Sequence, residues 1–383
     1  MDSIQIKSLG PIGQADVRFG DLILLIGPQA SGKSIFLQLL KLVIDKKHIH
    51  RTLEQYNFVW GKNPNQVLDL FFGEGMHGIW RKSTRIIYNN QKIDENFLTQ
   101  KDSYKRAQEN LFYIPAQRIL SISDGRPRFF TEFDESVPYV LRYFSETLRQ
   151  LMQNGVSKLD IVFPQVKRLK EPLRASFNES IFHNGRIFID EVSGQRKLKM
   201  RVDNMSIPFM TWSAGQKEFM PLLLSFYYLC VSGGTQRRDA IKYVVIEEPE
   251  MGLHPQAIKS VILQIIDLMS RGYKVVISTH SPVLLEFAWA FNLLKSSKVP
   301  DDVLFELFEI RKNGPTRRLF ENIISGKSIN TYFFDRIEDK VVTRDISTLD
   351  AASDDSGIAE WGGLSQFAGK VTDVVSKYLS DEE

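Results

Sequence analysis

The segment 22–34 constrains this chain more than any other. Leu22-Ile23-Leu24-Leu25-Ile26 is a continuous apolar run, the pattern of a short strand buried on both faces. Gly27-Pro28-Gln29-Ala30-Ser31-Gly32-Lys33-Ser34 follows at once. From Ser34 to about Asp45, Ile35, Leu39 and Val43 recur at near-helical spacing. The eight middle residues fit G-x-x-x-x-G-K-[ST], set between a strand and a helix, which is the context that pattern needs. Gly27 and Gly32 let the backbone wrap, so that N–H groups across Gln29, Ala30 and Ser31 face one anion. The helix N-terminus adds partial positive charge. Lys33 is placed to reach the β- and γ-phosphates of a nucleotide, and Ser34 to ligate Mg²⁺.

The second half repeats the alternation of strand and helix. Tyr243-Val244-Val245-Ile246 and Lys274-Val275-Val276-Ile277 read as buried strands, with a helix over 255–270 between them. Leu111-Phe112-Tyr113-Ile114 reads as another core strand. Ile4 and Ile6, and then Ala15, Val17 and Phe19, alternate with polar residues as short strands do. The expected class is α/β.

The strand at 243–246 empties into Glu247-Glu248-Pro249-Glu250. Neighbouring side chains at a strand's end point opposite ways. Glu247 is thus expected to face the metal and Glu248 an attacking water, the two carboxylate tasks of a nucleotide site. The competing account is a solvated acidic turn.

The bulk numbers bound the rest. The chain has 383 residues, 43% of them hydrophobic and 25% charged, enough for one large domain with insertions. Its net charge of +3 neither demands nor excludes nucleic acid. The single cysteine, Cys230, lies in an apolar run and reads as a small buried hydrophobe. One cysteine cannot form an intrachain disulfide, so a reducing compartment, the cytoplasm, is expected. No signal-peptide pattern opens the chain, and no apolar stretch is long enough to span a bilayer. His48 and His50 are expected in solvent. The cluster Arg311, Lys312, Arg317 and Arg318 reads as a solvated turn, with nucleic-acid contact the lesser alternative.

Four segments are expected: a first half-domain over 1–124, an inserted helical and hairpin arm over 125–210, a second half-domain over 211–330, and an extension over 331–383. In the arm, Leu141, Phe144, Leu148 and Leu151 form one helical face, and 186–189 can pair with 197–202. Leu304–Ile310 alternates like an edge strand. The extension shows less pattern and carries acidic Asp354-Asp355 and Asp381-Glu382-Glu383.

Three further stretches carry a resemblance. Trp212-Ser213-Ala214-Gly215-Gln216-Lys217 resembles the L-S-G-G-Q signature of ABC ATPases, Val276-Ile277-Ser278-Thr279-His280 resembles their histidine switch, and Ile114-Pro115-Ala116-Gln117-Arg118 resembles their glutamine loop. The order along the chain is the family order. Glu247-Glu248-Pro249-Glu250-Met251-Gly252-Leu253-His254-Pro255 is similar to a stretch of OLD-like ATPases, which include ATPases of bacterial anti-phage systems such as Septu, PARIS and the AbiL type. The resemblance implies an α/β, ABC-type P-loop head, a mixed sheet with flanking helices and an antiparallel part, binding ATP and Mg²⁺ as a head-to-tail dimer, or a higher oligomer. It implies that Gln117 touches the metal or the water, Glu247 supports the metal, Glu248 polarises water and His280 senses the γ-phosphate. Ser213, Gly215 and Gln216 would cap the γ-phosphate of the opposite subunit. Gln29 for Asn, Trp212 and Ala214 in the signature, and Glu247 for Asp depart from the family pattern. They remove no needed chemical group, but they put the turnover rate in question.

No D-x-D occurs, and the stretch after Ile310 is short for a Toprim nuclease, so none is expected in this chain. The leading functional expectation is an ATP-driven switch or scaffold in anti-phage defence, acting with a separate effector. The alternative is a RecF- or SMC-like ATPase that clamps duplex DNA. A transporter subunit and a non-catalytic ATP-binding module are further readings. Residues 303–349 and the stretch around Trp361-Gly362-Gly363-Leu364 are expected to be free to dock a partner.

Overall fold

The computed structural model describes residues 1–100, 107–156, 161–192, 194–230, 238 and 240–380. A ten-stranded mixed sheet runs through its centre. One half is parallel: Ile329–Ile337, Leu22–Ile26, Lys274–Ser278, Tyr243–Glu247 and Leu111–Ile114 lie side by side in that order. Their common direction brings the loops after them to one edge of the sheet. In the other half, Lys340–Asp345 turns back antiparallel to Ile329–Ile337 and pairs with Ile12–Arg18, followed by Ser3–Leu9, Trp80–Tyr88 and Gln91–Ile93.

The residues of Leu22–Ile26 show why the parallel strands read as unbroken apolar runs. Leu22, Leu24 and Ile26 join the core on one face, Ile23 and Leu25 the core on the other. Helix Lys33–Gln55 covers the second face through Phe36, Leu37 and Leu40. Helices Ala214–Leu229, Pro255–Ser270 and Pro282–Ser296 cover the first. At the antiparallel end Ile4, Ile6, Ala15 and Val17 are buried while Gln5, Lys7 and Asp16 face solvent, as the alternation requires.

The expected arm shares the main core. Phe144, Leu148 and Leu151 of helix Tyr139–Leu151, and Ile187, Leu198 and Met200 of the hairpin Arg186–Val192 with Gln195–Val202, pack into the same cluster as Leu22 and Ile26. Local periodicity reveals an apolar face but not what it lies against.

Other expectations are corrected. The segment expected as an edge strand, 304–310, opens in the helix Val303–Leu307. The low-pattern extension supplies two strands of the central sheet, and Ile329–Ile337 is the direct neighbour of Leu22–Ile26. Trp361 is not free: its indole N–H donates to Leu349 O (2.9 Å), and with Leu364 it packs on the core. His48 and His50 are not solvated either. His48 Nε2 lies 2.9 Å from Tyr143 Oη, and His50 is buried against the Trp60 ring. Cys230 is buried as expected. Asp381-Glu382-Glu383 lie outside the described residues, and among the described residues no helix is long and apolar enough to cross a membrane.

The helix after the glycine-rich loop continues to Gln55 through a kink at Asp45 (φ −115°, ψ 18°). The kink frees the Asp45 carboxylate to accept the N–H groups of Asn110 (2.8 Å) and Leu111 (3.0 Å). Lys41 Nζ donates to Asp45 (2.7 Å), Glu109 (2.8 Å) and Leu111 O (2.6 Å). This buried triad ties the helix to the strand Leu111–Ile114. Removing its cation strands two buried acids, so Lys41→Met should cost about 3–5 kcal/mol in urea unfolding. A loss under about 1 kcal/mol would contradict that account of the triad.

Candidate functional site

The loop after Leu22–Ile26 is shaped by backbone that few side chains allow. Gly27 has φ 144°, and a Cβ there would lie 2.6 Å from Phe334 O in the adjacent strand. Ala30 has φ 56° at the loop's crest. Lys33 folds back into the loop: its Nζ donates to Gly27 O (2.7 Å) and Pro28 O (2.9 Å). Burial pushes the Lys33 amine down to about 8, while the charges of Glu248, Glu247 and Glu250 pull the other way. Ser31 is buried beside it. Arg336, from the strand Ile329–Ile337, donates to Ala30 O (2.8 Å). That bond turns the Ala30 carbonyl outward, and in a trans peptide it points the next N–H, of Ser31, the opposite way.

The carboxylates lie two strands away. Glu247 ends Tyr243–Glu247 and is 4% exposed. Its Oε2 accepts the Ala116 N–H (3.2 Å), while Oε1 has no hydrogen-bond partner. Burial raises the Glu247 carboxyl above the usual carboxylate range, and the facing Ser34 hydroxyl, the Ala116 N–H and the Tyr113 phenol work against that rise. An orphaned carboxylate oxygen facing a hydroxyl fits a Mg²⁺ ion whose other ligands are phosphate and water oxygens. Among the described residues no three His, Cys, Asp or Glu side chains gather into a metal cage, and Mg²⁺ does not need one.

Glu248 sits at φ 44°, an uncommon backbone for a residue with a side chain. Its N–H donates to Ser278 O (2.8 Å), and its Oε1 lies 3.8 Å from His280 Nε2. His280 follows the strand Lys274–Ser278, which lies between the strands of the loop and the carboxylates. Burial, with Lys33 nearby, holds the His280 imidazole below its ordinary range, against the pull of Glu248, so the neutral ring is favoured at neutral pH. The structure thus brings Lys33, Ser34, Glu247, Glu248 and His280 together from three adjacent strands.

Gln117 follows the edge strand Leu111–Ile114. Its side chain is exposed and makes no hydrogen bond among the described residues; its neighbours Ala116 and Arg118 hold the carboxylate turn instead. Ser213 is the N-cap of helix Ala214–Leu229, and a capping box joins it to Gln216 in both directions (3.3 and 3.2 Å). Gly215 faces the turn beyond Glu250, where a Cβ would lie 2.6 Å from Gly252 O. Ser213 is exposed, and among the described residues no hydrogen bond or ion pair joins it to residues 27–34.

Three residues escaped the sequence reading. Glu250 accepts the Thr279 hydroxyl (2.7 Å) and the His280 N–H (2.6 Å), and so sets the histidine loop. The acidic stretch displayed it, but nothing local separates it from a solvated acid. Arg118 adjoins Gln117 and is fully buried. Arg336 comes from a strand that the sequence pattern hides.

A glycine-wrapped anion loop on a parallel sheet, with paired carboxylates and a histidine at neighbouring strand ends, defines a P-loop nucleotide-binding protein. Residues 22–286 match the family described as "AAA domain, putative AbiEii toxin, Type IV TA system". The chain belongs to that family of P-loop ATPases. It is also 23% identical over 190 residues to the Old nuclease of Escherichia phage P2, a match covering 47% of this chain and 31% of that protein. Among solved structures, the SmcHead bound to the C-winged helix domain of ScpA overlays with a TM-score of 0.41 at 9% identity, covering 90% of this chain and 96% of that one. The SMC head domain from Thermotoga maritima overlays at 0.36 and 10%, covering 90% and 98%. Overlays this loose bear on neither mechanism nor partners.

Lys33 supplies a pH test. Below about pH 8 it is charged whether or not an anion is present. Above that the free protein has shed a proton that a bound polyphosphate restores, so binding takes up a proton and weakens by up to about ten-fold per pH unit. Calorimetry in buffers of different ionisation enthalpy should show the uptake; an affinity for ATP that stays flat to about pH 9.5 would contradict it.

Proposed function

We propose that this chain hydrolyses ATP, with Mg²⁺, at a composite site completed by a second copy of itself, and that the cycle works as a switch. The observation that carries the proposal is the order of strand ends: the phosphate loop, the His280 loop, the Glu247-Glu248 turn and the Gln117 loop follow one another across adjacent parallel strands.

Each residue then has a task. The loop N–H groups of Gly27 and of Gln29 to Gly32, with Lys33, hold the β- and γ-phosphates. Ser34 and Glu247 hold Mg²⁺, with Gln117 reaching the metal or its water. Bound there, Mg²⁺ would offset the charge that builds on the phosphate oxygens. Glu248 accepts a proton from the attacking water or orients it, and His280 contacts the γ-phosphate. ADP and phosphate are the products. Exposed Ser213, with half-buried Gly215 and Gln216 behind it, forms a helix tip suited to cap an anion held by another copy head to tail.

The role in defence, with a separate effector, is proposed from the resemblance of the Glu247–Pro255 stretch to OLD-like ATPases; the cytoplasm is proposed from the single cysteine, Cys230. Helix Gln366–Ser380 leaves Phe367, Val371, Val374 and Val375 exposed. The proposal takes over no nuclease activity from the phage protein, of which this chain spans less than a third.

Two substitutions test the core of the proposal. Lys33→Ala should abolish measurable ATP binding. Glu248→Gln should bind ATP and lose about 100-fold or more in kcat. Turnover by Glu248→Gln at the unaltered rate would refute the assignment of the catalytic carboxylate.

A further inference from the structure

Arg118 is fully buried in the site, and the hydrolysis scheme above gives it no task. Its guanidinium spans three carbonyls: Glu247 O (3.1 Å), Glu248 O (3.2 Å) and, through Nε, Glu218 O (3.1 Å). The first two flank the peptide in which Glu248 adopts its left-handed backbone. Such a conformation persists only where the surroundings hold it. Here Ser278 O takes the Glu248 N–H on one side, and Arg118 takes the Glu248 carbonyl on the other. A planar fork can hold two successive carbonyls at once, which a lysine ammonium matches poorly.

The third carbonyl belongs to a different element. Glu218 lies on the helix capped by Ser213, one turn beyond Gly215. Its carboxylate Oε2 is buried without a hydrogen-bond partner and lies 4.0 Å from Arg118 Nε. Burial of the guanidinium is costly, and the charges of Glu218, Glu250, Glu248 and Glu247 offset it. A buried ion pair of this kind is a weak source of stability, so fold stability alone gives little reason for it.

We propose that Arg118 is the positioning residue for Glu248 and, through Glu218, makes the aim of that carboxylate depend on where the Ser213-capped helix sits. The proposal rests on the ATPase reading. Glu218 Oε2 is about 1 Å short of a charge-assisted bond to Nε. A small shift of the helix lets the single Nε–H leave Glu218 O for Glu218 Oε2, which turns the fork toward Glu218 and slackens its hold on the Glu248 carbonyl. The tip of the same helix is the part offered to the second copy's nucleotide. Docking at one site therefore sets the readiness of the other, a coupling between two sites through one side chain.

The test uses the full chain with Mg²⁺ and ATP, measuring affinity, kcat, KM and the Hill coefficient of turnover. Arg118→Lys should keep ATP affinity and KM within about two-fold while kcat falls about ten- to a hundred-fold. General disruption of the fold would move all of these together. Glu218→Gln keeps the backbone carbonyl that Arg118 uses and removes only the charge; it should lower the Hill coefficient toward one. It tests the coupling even where Arg118→Lys does not fold. A kcat for Arg118→Lys within about two-fold of the unaltered chain overturns the positioning role. A Hill coefficient unchanged in Glu218→Gln overturns the coupling. Absence of turnover in the unaltered chain removes the ATPase reading and the proposal with it.

Discussion

Four carboxylates, Glu218, Glu247, Glu248 and Glu250, crowd the ends of the central strands, with Lys33 and Arg118 among them. Like charges this close, partly out of water, repel unless cations and N–H groups are fixed beside them. Much of the local architecture serves that need. Ala116 N–H holds Glu247, Thr279 and His280 N–H hold Glu250, and Arg118 holds the backbone between them. The cluster's negative charge is only partly met from within, which suits it to a divalent cation, while the glycine loop and Lys33 supply the positive side that suits an anion.

The parallel sheet makes the crowding possible. Strands from distant parts of the sequence end at one edge, so residues numbered near 30, 117, 248 and 280 become neighbours. The buried Lys41, Asp45 and Glu109 triad fixes the opposite end, joining the phosphate-loop helix to the strand that leads to Gln117.

How much of this the sequence reveals depends on range. The phosphate loop, the two carboxylates and the histidine strand are legible because each is a local run: an apolar strand emptying into polar residues. The hairpin at 186–202 is legible from alternation. Illegible are features that exist only through long-range packing. Ile329–Ile337 lacks the continuous apolar run of its neighbour Leu22–Ile26, so its place beside the phosphate loop, and with it Arg336, goes unseen. Arg118 reads as a loop arginine until the fold buries it. The segment 125–210 reads as an arm because its apolar residues declare a face but not a partner. Leu304–Ile310 alternates as a strand would, yet Leu304, Phe305 and Phe308 are the buried residues, a helical spacing.

Ser213 carries the central claim: it is exposed, and among the described residues no hydrogen bond or ion pair joins it to residues 27–34. The most direct measurement is the mass of the protein in solution with Mg²⁺ and ATP, for the unaltered chain and for Ser213→Arg. The account predicts an ATP-dependent dimer for the unaltered chain, and a Ser213→Arg monomer that still binds ATP. A Ser213→Arg protein that dimerises with ATP as readily as the unaltered chain would contradict it.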